Sequence, residues 1–187
     1  MNLAYNKSIS RLKRLYVDFP DISHDWEHSK RVARISVAIA RNIGYQDIDF
    51  IKLAALWHDS ARTQGFEAEH EKEGAQLAKN DLLNHGLDNL TADKLYQAIR
   101  FHNISDKPEA IEGKIVQDAD ILDLFNISRW KKCRKSGWNN SYQTTFEDAY
   151  NLLENYPERF NFDYSKKIFN KIKTEFQHYF VRQNQNF

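Results

Sequence analysis

This sequence has few cysteines, prolines and glycines and no excess of charge of either sign, and each shortage argues against a class of protein. The single cysteine, Cys133, cannot form an internal disulfide, which argues against a small secreted domain held together by disulfides. Lysine and arginine total 27 and aspartate and glutamate total 26, so the chain has no overall charge for wrapping nucleic acid or adhering to an anionic membrane. Only three prolines and six glycines interrupt the 187 residues, and this composition suits helices.

Long apolar runs are missing as well. The opening segment, MNLAYNKSISRLKRLY, has no continuous apolar stretch like that of a signal peptide or a membrane span. We therefore expect a cytoplasmic protein with no membrane partner.

Helical periodicity is the main pattern that the sequence contains. Apolar residues recur at spacings of three and four, as in Val32, Ile35 and Ile39, and no strand-like alternation competes with them. Either Ser23 or Asp25 can cap that helix. The pattern predicts an all-α fold with helices over about residues 2–17, 25–43, 47–61, 69–84, 91–102, 109–127, 146–154 and 165–183.

Three histidines, His28, His58 and His102, fall inside or at the ends of these apolar patterns. A lone histidine on an apolar face is more often a hydrogen-bonded core residue than a ligand, but Asp59 follows His58 directly at a predicted helix end. Consecutive side chains, about 100° apart on a regular helix, can converge where the backbone leaves helical geometry. Imidazole with carboxylate suits Mn, Fe, Co, Ni, Zn or, less well, Mg, and leaves positions open for water.

The segment VQDADILD supplies further carboxylates. Asp118 and Asp120 are two residues apart and would point about 200° away from each other on a helix, so only one can readily face a site. Asp120 shares its face with Val116, Asp123 and Leu124, a mostly apolar set, and is the better candidate for an inward carboxylate. A solvated helix face is the alternative interpretation of these aspartates.

In order along the chain, the segments HSKRVARIS, LAALWHDSAR, HEKEGAQLA, IRFH and KIVQDADILDL resemble the motifs of the HD-domain metal-dependent phosphohydrolase superfamily. The ordered combination is specific, although a single His-Asp pair is not. The closest resemblance is to small bacterial stand-alone members whose opening motif reads like HDWEHS, and it covers about residues 24–129. It implies a helical bundle of the HD-domain type. We expect a single domain with a metal-binding core at about 22–129, a basic connector at about 129–145 and a C-terminal helical appendage at about 146–187.

The resemblance also implies the ligands of the metal ion, which are His28, His58, Asp59 and Asp120. It favours Asp120 over Asp118. The expected reaction is hydrolysis of a nucleotide or a related small phosphate ester or anhydride by a metal-activated water.

The number of ions depends on His70 and His102, which match the extra histidines of two-metal members of the superfamily. In one interpretation Asp59 bridges two ions. In the other, one ion is bound and the two histidines hydrogen-bond the phosphate or the attacking water. We predict one ion, with His70, His102 and Asp59 as catalytic groups.

The charge of a phosphate must be met by cations. Four basic residues lie near the motifs in sequence: Lys30, Arg31, Arg62 and Lys114. Arg31 and Arg62 are preferred because they stand three and four residues from predicted ligands, and for each a solvated helix face is the alternative. His24 opens the motif and is expected to orient the substrate or a ligand.

Two other functions stay open. Leu124 and Phe125 stand where related small members have a short stretch rich in alanine and glycine. These bulky side chains would narrow whatever that helix borders. The first alternative is therefore a metal-stabilised nucleotide-binding or regulatory module without turnover. The second alternative is nucleic-acid binding, because basic residues alternate with aromatics in the connector. The near-neutral charge of the chain argues against it, and a solvated connector is the other interpretation of this pattern. The residues of that pattern are Arg129, Trp130, Lys131, Lys132, Arg134, Lys135 and Trp138.

Overall fold

The computed structural model describes residues 3–136, 140–153 and 156–184. Over these residues the chain is helical and contains no strand, so the predicted all-α fold is confirmed. Two short 3₁₀ turns, Ser60–Gln64 and Pro157–Arg159, interrupt the series of α-helices. The α-helices are α1 (Leu3–Leu15), α2 (Trp26–Asn42), α3 (Ile48–Trp57), α4 (His70–Asn84), α5 (Asn89–Arg100), α6 (Ile111–Leu124), α7 (Ile127–Lys135), α8 (Asn140–Leu152) and α9 (Asp163–Asn184).

Aspartates cap two of the helices that carry the candidate site, α2 and α3. Asp25 accepts a hydrogen bond from the backbone N–H of His28 and caps α2, which decides between the two predicted caps. Asp47 caps α3 in the same way. Such a cap contributes about 1 kcal/mol by satisfying a backbone donor that has no partner inside the helix. The cap on α2 fixes His28 in the first turn of that helix.

The core forms around α3, which packs against α1, α2, α5 and α6. From Phe50 to Trp57 only Lys52 on this helix is partly exposed, and Ile51 and Leu53 have no exposed area. Burial of each large apolar side chain contributes about 1.5–3 kcal/mol. The end of α3, where His58 and Asp59 follow, is therefore held in the middle of the bundle.

No helix was predicted over the basic connector at 129–145, but α7 and the start of α8 occupy most of it. Helix α7 is amphipathic: Arg129, Trp130 and Cys133 share one buried face, and the lysines lie on the exposed side. This buried face contains an arginine and lies among many basic residues, which is why the helical periodicity of α7 is not evident in the sequence.

The same helix removes support from the nucleic-acid alternative. The Trp130 indole N–H donates to the carbonyl of Leu124 at 2.6 Å, and its ring packs against Phe146 with centroids 5.0 Å apart. A tryptophan buried in the core cannot stack on a base. Trp138 lies outside the described residues.

Aromatic side chains join the C-terminal segment to the rest of the bundle. The Phe125 ring packs edge to face against Tyr156, Phe169 and Phe176, with centroids 5.0, 5.1 and 5.4 Å apart. Phe125 therefore fills the core, whereas Leu124 lines the cavity beside the candidate site.

None of the described helices combines the length and the apolar character needed to traverse a bilayer. The cytoplasmic location and the division into core, connector and appendage of one domain stay predictions.

Candidate metal centre

Four histidines and two aspartates meet around the C-terminal end of α3. They come from the ends of α2, α3, α4 and α5 and from the C-terminal half of α6. Neighbouring imidazole rings lie edge to face with centroids 5.0–5.5 Å apart. The structure thus brings together six residues that the sequence singled out: His28, His58, Asp59, His70, His102 and Asp120.

All four imidazoles donate their Nδ1–H away from the centre. This leaves the Nε2 atoms facing inward, the orientation that a metal-binding histidine needs. The acceptors are the Asp123 carboxylate for His28, at 2.7 Å, and the carbonyls of Ala55, Glu67 and Ile99 for His58, His70 and His102, at 2.7, 3.0 and 2.6 Å.

Four of these donor atoms, the four-atom set, comprise the Nε2 atoms of His28 and His58 and one carboxylate oxygen each of Asp59 and Asp120. His28 Nε2 lies 3.1 Å from His58 Nε2 and 3.4 Å from Asp59 Oδ2; it also lies 3.4 Å from Asp120 Oδ1. His58 Nε2 lies 3.3 Å from Asp59 Oδ2 and 3.7 Å from Asp120 Oδ1. Ligands about 2.1 Å from one ion stand about 3.0 Å apart at octahedral angles and about 3.4 Å apart at tetrahedral angles. The two imidazoles with either carboxylate oxygen therefore have spacings that suit a divalent ion, and His28, His58 and Asp120 are close enough together to hold one.

Asp59 presents its other oxygen to a different group of residues. Oδ1 accepts a hydrogen bond from Arg62 Nε at 3.0 Å. It lies 3.4 Å from His70 Nε2 and 3.8 Å from His102 Nε2. Both predicted extra histidines are therefore nearest to the carboxylate oxygen that the four-atom set does not use.

The charges of the centre shift the pKa values of its buried groups. Burial alone would lower the pKa of His58, but the carboxylates of Asp59 and Asp120 raise it to about 10. Burial alone would raise the pKa of Asp59, but the charge of His58 and hydrogen bonds from the histidines hold it well below its usual value. Without an ion, a proton on His58 therefore balances part of the carboxylate charge.

Asp123 belongs to the site although the sequence did not assign it a role. Its carboxylate is fully buried and fixes the His28 ring through Nδ1. Arg31 donates to both of its oxygens, at 2.7 and 3.0 Å. Arg31, predicted to bind phosphate, is instead the counter-ion of Asp123, because that carboxylate lies within its reach. The sequence signal that could have identified Asp123 is its position on the mostly apolar face of α6 that also carries Asp120.

A cavity of about 170 Å³ opens beside the donor atoms. His24, predicted to contact substrate, lines it and donates Nδ1–H to Asp21 at 2.6 Å. Arg129 also lines it and donates to His24 Nε2 at 3.3 Å. The sequence placed Arg129 in the basic connector and gave it no role in the site. Its position on the buried face of α7 is the feature that brings it to the cavity. The full lining is His24, Asp59, Arg62, His70, His102, Asn103, Ile104, Asp120, Ile121, Leu124, Arg129 and Tyr156.

Two other basic residues lie elsewhere. Lys114 stands six residues before Asp120 in α6, about 9 Å along the helix axis, and does not line the cavity. Lys30 pairs with Glu27 at 2.5 Å and faces a separate groove of about 550 Å³ between α2 and α3, whose lining includes no histidine. We place the candidate site in the smaller cavity because metal-donor residues line that cavity, although the groove is larger.

Asp118 points away from the cavity, as the helix phase predicts. Its Oδ1 accepts from the backbone N–H of Asn161 at 2.9 Å and its Oδ2 from that of Phe162 at 3.1 Å. Burial raises the pKa of Asp118, although these hydrogen bonds oppose the effect. Asp118 thus ties α6 to the segment before α9.

Residues 25–124 match the HD domain family. One similar solved structure is a predicted HD superfamily hydrolase from an uncultured Thermotogales bacterium, 25% identical with a TM-score of 0.70, covering 97% of this chain and 91% of that one. The Lin1889 protein from Listeria innocua is 25% identical with a TM-score of 0.67, covering 98% and 96%. Bacillus subtilis YpgQ in complex with ADP is 23% identical with a TM-score of 0.68, covering 98% and 96%. Among curated proteins, none matches the chain.

Proposed function

The chain belongs to the HD domain family, and from this premise we propose that it is a divalent-metal-dependent phosphohydrolase acting on a nucleotide or a related small phosphate ester or anhydride. One observation carries the proposal: two histidine Nε2 atoms lie 3.1 Å apart beside an open cavity, and two carboxylate oxygens each lie 3.3–3.7 Å from both of them. These atoms belong to His28, His58, Asp59 and Asp120.

A divalent ion bound there would acidify a water and polarise a phosphoryl oxygen, which phosphate hydrolysis requires. Asp120 keeps 31% of its side chain exposed while the other three ligands are buried. The open side of the centre therefore faces the cavity at Asp120, and we place the reacting phosphate there.

His102 is the residue that we assign to proton transfer. Its Nδ1–H is held by the Ile99 carbonyl, so Nε2, which lines the cavity, can accept a proton from an attacking water. His70 is less suited, because its Nε2 already accepts a hydrogen bond from Arg62 at 2.9 Å.

Arg129 is the cation that we assign to the phosphate. It is 8% exposed and lines the cavity, and its contact with Asp123 is long, at 3.9 Å. Its guanidinium N–H groups can therefore donate to a phosphate in the cavity. Those of Arg31 already donate to both oxygens of Asp123. His24 accepts a hydrogen bond from Arg129 at 3.3 Å.

The neighbouring surface gives room for more than a phosphate. A second cavity of about 410 Å³ shares Ile104 with the first, and it contains Lys107, Arg159 and Asn161. Small-molecule sites commonly occupy about 300–1,000 Å³, so the two cavities together suit a substrate of nucleotide size. The ADP bound to YpgQ supports the same substrate class.

The test is a hydrolysis panel on the purified protein. Nucleoside mono-, di- and triphosphates and simple phosphate esters would be incubated with Mn²⁺, Co²⁺, Ni²⁺, Zn²⁺ or Mg²⁺, and phosphate and nucleoside products measured. We expect metal-dependent release from at least one nucleotide. Tight nucleotide binding with no release under any metal would favour the regulatory-module alternative and refute the proposed activity.

A further inference from the structure

Beside the four-atom set lies a second group of potential metal donors. It comprises Asp59 Oδ1, His70 Nε2 and His102 Nε2, with the two histidine atoms 3.4 and 3.8 Å from the carboxylate oxygen. Both rings donate Nδ1–H to backbone carbonyls, so both Nε2 lone pairs face this group. Two imidazoles and a bridging carboxylate oxygen are the donors that a second divalent ion would use.

The guanidinium of Arg62 already contacts two of these three donors. Its Nε donates to Asp59 Oδ1 at 3.0 Å and its Nη2 donates to His70 Nε2 at 2.9 Å. Its Nη1 donates to Glu67, which is exposed, at 2.6 Å. The Arg62 side chain is only 15% exposed, so the guanidinium is held between the donors and Glu67.

We propose that Arg62 takes the place of a second metal ion and so restricts the centre to one. The proposal rests on the proposed function, because it takes the four-atom set as the site of the first ion. A guanidinium supplies positive charge and donors to the same lone pairs that an ion would need, and one lone pair cannot serve both.

The position of Arg62 follows from the local backbone. The 3₁₀ turn Ser60–Gln64 begins directly after Asp59 and carries Arg62 back over that aspartate. Asp59 and Arg62 are therefore three residues apart and pair without help from distant parts of the chain. Removal of the guanidinium leaves Asp59 Oδ1, His70 and His102 in place, and these atoms become available to a second ion.

The test compares metal stoichiometry in the full-length protein and in Arg62→Ala. Protein loaded with excess Mn²⁺ and desalted is analysed for ions per chain and by electron paramagnetic resonance. We expect one ion per chain in the unaltered protein, with the spectrum of an isolated Mn²⁺. We expect two in Arg62→Ala, with the spectrum of a coupled pair bridged by Asp59. Arg34→Ala, which removes an exposed arginine of α2, is the matched control and should bind one.

Two further variants keep the result interpretable. Arg62→Gln, which retains bulk but no charge, should also bind two ions and serves if the alanine variant does not fold. Addition of His70→Ala to either variant should return the count to one. Two ions in the unaltered protein, or one ion in both Arg62→Ala and Arg62→Gln, would overturn the proposal. Absence of any ion from the unaltered protein would instead refute the proposed metal-dependent function itself.

Discussion

Metal binding to this centre should release a proton, because the ion must displace the one on His58. Two carboxylates raise the pKa of this buried imidazole to about 10, so His58 is protonated at neutral pH when no ion is bound. A metal ligand must be deprotonated. The proton therefore competes with the ion, and metal affinity rises with pH until about pH 10.

The size of the effect follows from the distance between that pKa and the working pH. At pH 7 the difference is about three pH units, which weakens binding roughly 1,000-fold, or about 4 kcal/mol, relative to a centre with His58 already neutral. Between pH 7.0 and 8.5 the apparent affinity should rise roughly 30-fold.

Isothermal titration calorimetry with Mn²⁺ measures both quantities. Titrations at pH 7.0 in buffers of different ionisation enthalpy give the number of protons released, for which we expect at least one per ion. His178→Ala, which removes an exposed histidine of α9, should behave like the unaltered protein. An affinity that stays constant between pH 7.0 and 8.5, with no proton released, would refute the reasoning.

Three substitutions test other parts of the account. Asp123→Asn should weaken metal binding about 10- to 100-fold by calorimetry, because this carboxylate holds His28 in its binding tautomer; an unchanged affinity would contradict that role. Asp118→Asn should lower the free energy of unfolding by about 2 kcal/mol in urea, because a buried acceptor of backbone N–H groups is lost. It should leave metal affinity unchanged, and loss of the ion would show that Asp118 faces the centre. Tyr156→Phe should raise KM about fivefold for the best substrate, since the pKa of Tyr156, raised to about 12 by burial, keeps the hydroxyl protonated as a donor beside the cavity; an unchanged KM would remove Tyr156 from the substrate site.

Periodicity predicted every described α-helix except α7, because a buried helix face must repeat apolar residues every three or four positions. It also fixed the phase of α6, which separates Asp120 from Asp118. The error at α7 has the same origin. Its buried face consists of Arg129, Trp130 and Cys133, and an arginine on that face conceals the apolar stripe.

Contacts between distant residues could not be predicted in this way. Arg31 and Asp123 are 92 residues apart, so nothing in the local pattern shows that the nearest anion to Arg31 is a carboxylate and not a substrate. The pairing of Arg62 with Asp59 is local, three residues apart, but its contact with His70 depends on how α4 packs against the turn. The resemblance to the HD superfamily thus predicted which donors meet, and the tertiary packing decides which cations remain for the substrate.

The most direct test of the central claim is the metal content and hydrolytic activity of His58→Ala beside His178→Ala. His58 is fully buried and contributes one of the four converging atoms, whereas His178 is exposed on α9. We predict that His58→Ala loses the bound ion and nucleotide hydrolysis together while circular dichroism shows that it remains helical, and that His178→Ala keeps both. Full ion content or full hydrolytic activity in a folded His58→Ala protein would contradict the assignment of this centre.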